Sequence, residues 1–135
     1  MPKFSQSSLD RLRTCDKRLQ RVFEEVIKHW DCTIIEGHRD EATQNEYFRT
    51  GKSKLQWPQG KHNKTPSLAV DVVPYHAKAP HIRWEDKEGF AYFAGFVMGI
   101  ASQMGIKLRW GGDWDGDRDT KNQSFVDMPH FELMD

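Results

Sequence analysis

Leu68-Ala69-Val70-Asp71-Val72-Val73 is an apolar, largely β-branched run interrupted by one carboxylate. A strand alternates its side chains, so Ala69, Asp71 and Val73 share one face and Val70 and Val72 the other. An ionised carboxylate inside a strand is costly unless cations or hydrogen-bond donors meet it. Asp71 therefore requires partners from elsewhere in the chain. Upstream, Lys52 to Pro66 is rich in Lys, Gln, Pro, Gly and Asn, the chemistry of a long irregular loop. Loops of this length are often functional.

Before that loop, Asp40 is placed to cap a helix running through Ala42, Gln44, Tyr47 and Phe48 and stopping at Gly51. Thr33-Ile34-Ile35 reads as a short strand ending at Gly37. From Leu9 to Trp30, apolar Leu12, Leu19, Val22, Phe23, Val26, Ile27 and Trp30 recur at helical spacing, which predicts one amphipathic helix capped by Ser8. After the central strand, Glu85, Asp86 and Glu88 suit the start of an apolar helix. Lys107–Trp110 and Pro129–Leu133 read as strands flanking a polar loop, Gly111–Ser124. Helices mixed with short strands, without a regular βαβ rhythm, predict an α+β fold: a small antiparallel sheet with helices packed on it.

The chain has 135 residues, the size of one domain, so residues 1–135 are expected to form a single unit. Twenty basic and twenty acidic side chains cancel, and no global field exists to hold a polyanion. No nucleic-acid partner is expected. The uncharged run Gly89–Ile106 contains four glycines, Ser102 and Gln103, and its dense apolar part has the length of a core helix, so no membrane insertion is expected. Cys15 and Cys32 show no CxxC spacing and are expected to be free and buried, as in a reducing compartment. The start MPKFSQSSLD lacks a basic-then-apolar leader, which points to synthesis in the cytoplasm.

Two imidazoles could meet Asp71: His62 in the loop before it and His130 in the last strand. Two histidines and one carboxylate form an open zinc site with one position left for water, although other divalent metals suit the same set. Asp127-Met128-Pro129-His130 places a second carboxylate beside a candidate ligand, where a general base belongs. Asp113, Asp115, Asp117 and Asp119 alternate along the polar loop, yet Arg118 and Ser124 stand where an EF-hand needs Gly and Glu, so a solvated acidic loop is expected.

Four stretches occur together and in order: Glu36-Gly37-His38-Arg39 with Gln44; Lys61-His62 through Ser67-Leu68-Ala69-Val70-Asp71; Leu108-Arg109-Trp110-Gly111-Gly112-Asp113-Trp114; and Asp127-Met128-Pro129-His130-Phe131-Glu132-Leu133. In this set the chain resembles the zinc D,D-peptidase family, which includes D-alanyl-D-alanine carboxypeptidases and the phage L-alanyl-D-glutamate endopeptidases used as endolysins. The resemblance implies a hedgehog/D,D-peptidase-like fold and Zn2+ held by His62, Asp71 and His130. It also implies Asp127 as catalytic base and Arg39 as the cation facing the substrate carbonyl. Gln44, Ser67, Trp110, Asp113 and Trp114 are expected at the substrate; a hydrogen bond to Arg39 is the other reading of Gln44, and core packing that of the two tryptophans. Eight residues separate His62 from Asp71, more than the family's usual step, so the loop between them is expected to be longer.

The implied activity is hydrolysis of an amide in the peptidoglycan stem peptide by a monomeric endolysin that reaches the wall once the membrane is breached. An L-alanyl-D-glutamate endopeptidase is the first choice, and a D-alanyl-D-alanine carboxypeptidase shares the chemistry. Two other classes are a metal-dependent nuclease, suggested by Lys61-His62-Asn63, and a non-catalytic wall-binding module whose zinc only stabilises the fold.

Overall fold

The computed structural model describes residues 2–123 and 126–134. Ser124, expected to end the polar loop, lies outside them. In chain order the elements are α1 (Gln6–Leu12), α2 (Lys17–Val26), β1 (Cys32–Glu36), α3 (Glu41–Arg49), a 3-10 turn (Lys61–Asn63), β2 (Ala69–Pro74), α4 (Lys87–Gln103), β3 (Leu108–Trp110) and β4 (His130–Leu133). The four strands form one antiparallel sheet in the order β1-β2-β4-β3. The expected α+β architecture is therefore present.

The sheet divides its two faces by the alternation seen in β2. Ile34, Val70, Val72, Leu108, Trp110, Phe131 and Leu133 join Leu19, Val22, Phe23 and Val26 of α2 and Phe93, Ala94, Val97 and Ala101 of α4 in one core. Phe131 stands at its centre, its ring edge-on to Phe23 at 5.6 Å and to Phe93 at 6.4 Å. The opposite parity of the strands carries Asp71, His130, Glu132 and Arg109. Register makes them neighbours: Asp71 pairs with His130 and Glu132 with Arg109.

The single N-terminal helix expected over Leu9–Trp30 is two helices. Cys15 leaves the helix to bridge Ser67, with Asp16 N donating to Ser67 O at 2.8 Å and Ser67 N to Thr14 O at 2.9 Å. Asp16 then caps α2 through Arg18 N. The apolar period survives the break, which is why it did not announce it. Ser8 is not the cap either. Ser5 caps α1, while Ser8 is buried and its Oγ accepts from Ile34 N at 3.0 Å, docking α1 on β1. Asp40 and Asp86 cap α3 and α4 as their positions suggest.

Both cysteines are free and buried, and burial pushes the Cys15 thiol up to about 12. Among the described residues no helix is long and apolar enough to cross a membrane.

Candidate metal centre

His62, Asp71 and His130 converge although they come from three separate segments. The 3-10 turn supplies His62, the middle of β2 supplies Asp71, and the first residue of β4 supplies His130. His62 Nε2 lies 3.2 Å from Asp71 Oδ1 and 3.3 Å from His130 Nδ1, and His130 Nδ1 lies 3.3 Å from Asp71 Oδ1. A tetrahedral ion with bonds of about 2.0 Å spaces its ligand atoms about 3.3 Å apart, so these three atoms form one face of such a site. The donor set fits a divalent metal, and the triad is a group able to hold one.

Each imidazole is fixed from behind. His62 Nδ1 donates to the Gly37 carbonyl at 2.7 Å, and His130 Nε2 donates to Glu132 Oε1 at 2.8 Å. The nitrogen facing the centre is thus a different one in each ring. The rings meet edge to face at 5.1 Å.

Electrostatics follow this packing. Burial alone would favour a neutral Asp71, but His62 and then His130 outweigh it and hold its carboxyl well below the usual range. Burial likewise opposes a charged His130, yet its hydrogen bonds to Asp71 and Glu132 push it up to about 9. Glu132, buried but bonded to His130 and Arg109, is held at about 2. Asp127 moves the other way. Burial and then the Asp71 charge raise its carboxyl, and its Oδ2 lies 3.9 Å from His130 Nδ1, beside the triad.

A β-bulge between Ile34 and Glu36 sets Glu36 opposite Asp71. Glu36 Oε1 accepts from Arg39 Nε at 2.9 Å and Nη2 at 2.6 Å, while Arg39 Nη1 donates to Gln44 Oε1 at 2.9 Å. The guanidinium covers the Tyr47 ring at 4.6 Å and brings Nη2 to 3.9 Å from Asp71 Oδ2. A cleft of about 410 Å3 opens over His62 and His130, bordered by Arg39, Lys54, Arg109, Trp114 and Asp127.

The family model described as phage L-alanyl-D-glutamate peptidase matches residues 1–134. The chain belongs to this family. It is 30% identical to the L-alanyl-D-glutamate peptidase of Escherichia phage T5, over 98% of both chains. It is also similar to the crystal structure of the Serratia marcescens L-Ala D-Glu endopeptidase ChiX, with a TM-score of 0.75 and 29% identity over 98% of this chain and 90% of that one.

Within this phage L-alanyl-D-glutamate peptidase family member, the expected site residues fall into two groups. His62, Asp71, His130, Asp127 and Arg39 are together at the cleft, and Trp114 stands with its ring 5.3 Å from that of His130. Gln44 is fully buried beneath Arg39 and accepts from its Nη1, the second of the two roles open to it, while it also bonds Asn63 and Ser53. Ser67 departs further from expectation. It is fully buried, its Oγ donates to Ala69 O at 2.6 Å, and it braces the entry to β2 rather than the cleft. Trp110 belongs to the core, with Nε1 donating to Met128 O at 2.7 Å. Asp113 lies in the acidic loop, where one carboxylate oxygen accepts from Arg118 N; carboxylate oxygens of Asp113, Asp115 and Asp117 gather within 4.8 Å.

The sequence reading left Glu36, Lys61, Asn63 and Glu132 without individual roles. Glu36, Lys61 and Glu132 stand in motifs quoted for the resemblance; Glu36 meets Arg39 three residues on, whereas Glu132 meets Lys61 and Arg109 from segments too far along the chain for spacing to reveal.

Proposed function

We propose that the chain is a zinc endopeptidase that hydrolyses the amide between L-alanine and D-glutamate in the peptidoglycan stem peptide, as a phage endolysin does. Residues 1–135 act as one catalytic domain. The observation that carries the reading is the triangle of His62 Nε2, Asp71 Oδ1 and His130 Nδ1, with edges of 3.2–3.3 Å, beside the raised carboxyl of Asp127. Family membership supports the choice of bond.

The three ligands would hold zinc, which supplies Lewis acidity toward a carbonyl and makes water a nucleophile near neutral pH. Asp127 accepts the proton of the attacking water and returns it to the departing amine of D-glutamate. Its partial burial beside Asp71 raises its basicity, which suits a base working near neutrality. Arg39 bears negative charge developing on the scissile carbonyl oxygen, and Glu36, Gln44 and Tyr47 hold its guanidinium in place. Trp114 walls the cleft beside His130.

Mass spectrometry of muropeptides from purified peptidoglycan tests the proposal. A new amino terminus at D-glutamate, formed by zinc-loaded protein and abolished by chelation, is the expected result. Free D-alanine as the only early product would overturn the bond assignment in favour of a carboxypeptidase. Nicking of a plasmid with no muropeptide product would favour the nuclease.

A further inference from the structure

We infer that Glu132 is a positioning residue for the metal centre, and that Lys61 and Arg109 hold it so that both ligand-bearing segments are tied to it. The inference rests on the metal-peptidase reading above and concerns how the site is kept ready.

An imidazole that ligates through Nδ1 must carry its proton on Nε2. In His130, Nδ1 faces His62 and Asp71, and Nε2 points back to Glu132 Oε1 at 2.8 Å. Alternation along β4 puts residues 130 and 132 on one face, so the strand aims both side chains at the same place. Behind His62 stands a backbone carbonyl instead, that of Gly37. The two ligands are therefore unequal. A carboxylate behind an imidazole fixes its ring and makes it a better electron donor to a metal.

Glu132 divides its two oxygens. Oε1 serves His130, while Oε2 takes Arg109 Nη2 at 2.7 Å, Arg109 Nε at 3.3 Å and Lys61 Nζ at 3.4 Å. With Glu132 only 6% exposed, two cations on one oxygen offset the cost of burying the carboxylate. Arg109 reaches it by cross-strand register and also lies over the Trp114 ring at 5.6 Å.

Lys61 supplies the longer connection. It immediately precedes His62, its carbonyl accepts from Leu68 N, and its Nζ also donates to the Leu133 carbonyl. One residue thus fastens the turn bearing His62 to the strand bearing His130.

The test is zinc affinity of the full chain by competition with a chromogenic chelator, together with melting temperatures of zinc-free and zinc-loaded protein. Glu132→Gln keeps the shape and an acceptor but loses the charge. Its zinc Kd should rise by about 10-fold, and that of Glu132→Ala by up to about 100-fold. The rise in melting temperature produced by zinc should shrink in both. Because the amide leaves two cations unbalanced, the double variant Glu132→Gln/Arg109→Gln keeps the measurement readable: it should recover zinc-free stability while zinc affinity stays weak.

A purely structural role would lower the zinc-free and zinc-loaded melting temperatures equally and leave the increment unchanged, which would overturn the inference. So would a Glu132→Gln Kd within about twofold of the wild type. Failure of the wild-type protein to take up zinc would instead overturn the zinc-peptidase reading itself.

Discussion

Zinc must compete with a proton for the centre, and the competition can be measured by changing pH alone. In the metal-free protein His130 lies between two carboxylates, Asp71 on Nδ1 and Glu132 on Nε2, and is protonated up to about 9. Asp71 remains ionised far into acid. A metal reaches His130 Nδ1 only when that proton leaves. Below pH 9 the apparent Kd should therefore tighten about tenfold for each unit of rising pH, or about 100-fold between pH 6.5 and 8.5, and then level off.

The sign for folding is opposite. A histidine raised from 6.5 to about 9 stabilises the metal-free fold fully below pH 6.5, and this contribution fades as pH rises through 9. It is on the order of 3 kcal/mol. Zinc-loaded protein should not show this loss, because the ligand stays deprotonated. Calorimetric titration with zinc at pH 7 in buffers of different ionisation enthalpy should report about one proton released per metal. Binding without proton release, or an affinity unchanged between pH 6.5 and 8.5, would refute the assignment of His130 as a protonated ligand awaiting its metal.

Single replacements test the remaining roles. His62→Ala, Asp71→Ala and His130→Ala should each bind zinc far more weakly, because each removes one of three protein ligands; full zinc occupancy with intact activity in all three would remove the site. Asp127→Ala and Asp127→Asn should keep zinc but lose roughly 10²–10⁴-fold in kcat; loss of zinc instead would make Asp127 a ligand. Gly111→Ala would set a Cβ 2.0 Å from the Asp127 carbonyl oxygen, forcing that residue to shift. Zinc content should hold while turnover falls on the order of 10²-fold, and normal turnover would show that Asp127 need not be held there.

Local chemistry was legible wherever it repeats along the chain. The alternation through Val70, Asp71 and Val72 predicted both the strand and its misplaced charge, and Asp40 and Asp86 announced the helices that they cap. What the sequence hid is contact between distant residues. Nothing near Cys15 breaks the helical period; the interruption comes from Ser67, far along the chain. Glu132 looks like an ordinary polar residue of a strand until Lys61 and Arg109 arrive from other segments. Gln44 is buried by the same kind of contact. Its amide is held between Arg39, Ser53 and Asn63, which folding brings near, whereas Ser67 turns its hydroxyl to Ala69, only two residues on.

A main-chain clasp at Gly111 governs how this protein can be altered. Asp127 N donates to Gly111 O and Gly111 N to His130 O, both at 2.8 Å, so the intervening segment enters and leaves through one doorway. Lengthening such a segment costs chiefly closure entropy, about 0.6 kcal/mol per doubling, and does not pull on β4. The segment bearing Trp114 can thus be exchanged for a relative's, with Gly111 and Asp127 as the seams, to change what reaches the cleft while the ligands stay in place. Chimeras of different segment lengths should bind zinc alike and differ in the substrates they cut; a zinc affinity that followed segment length would show that the doorway does not isolate the metal.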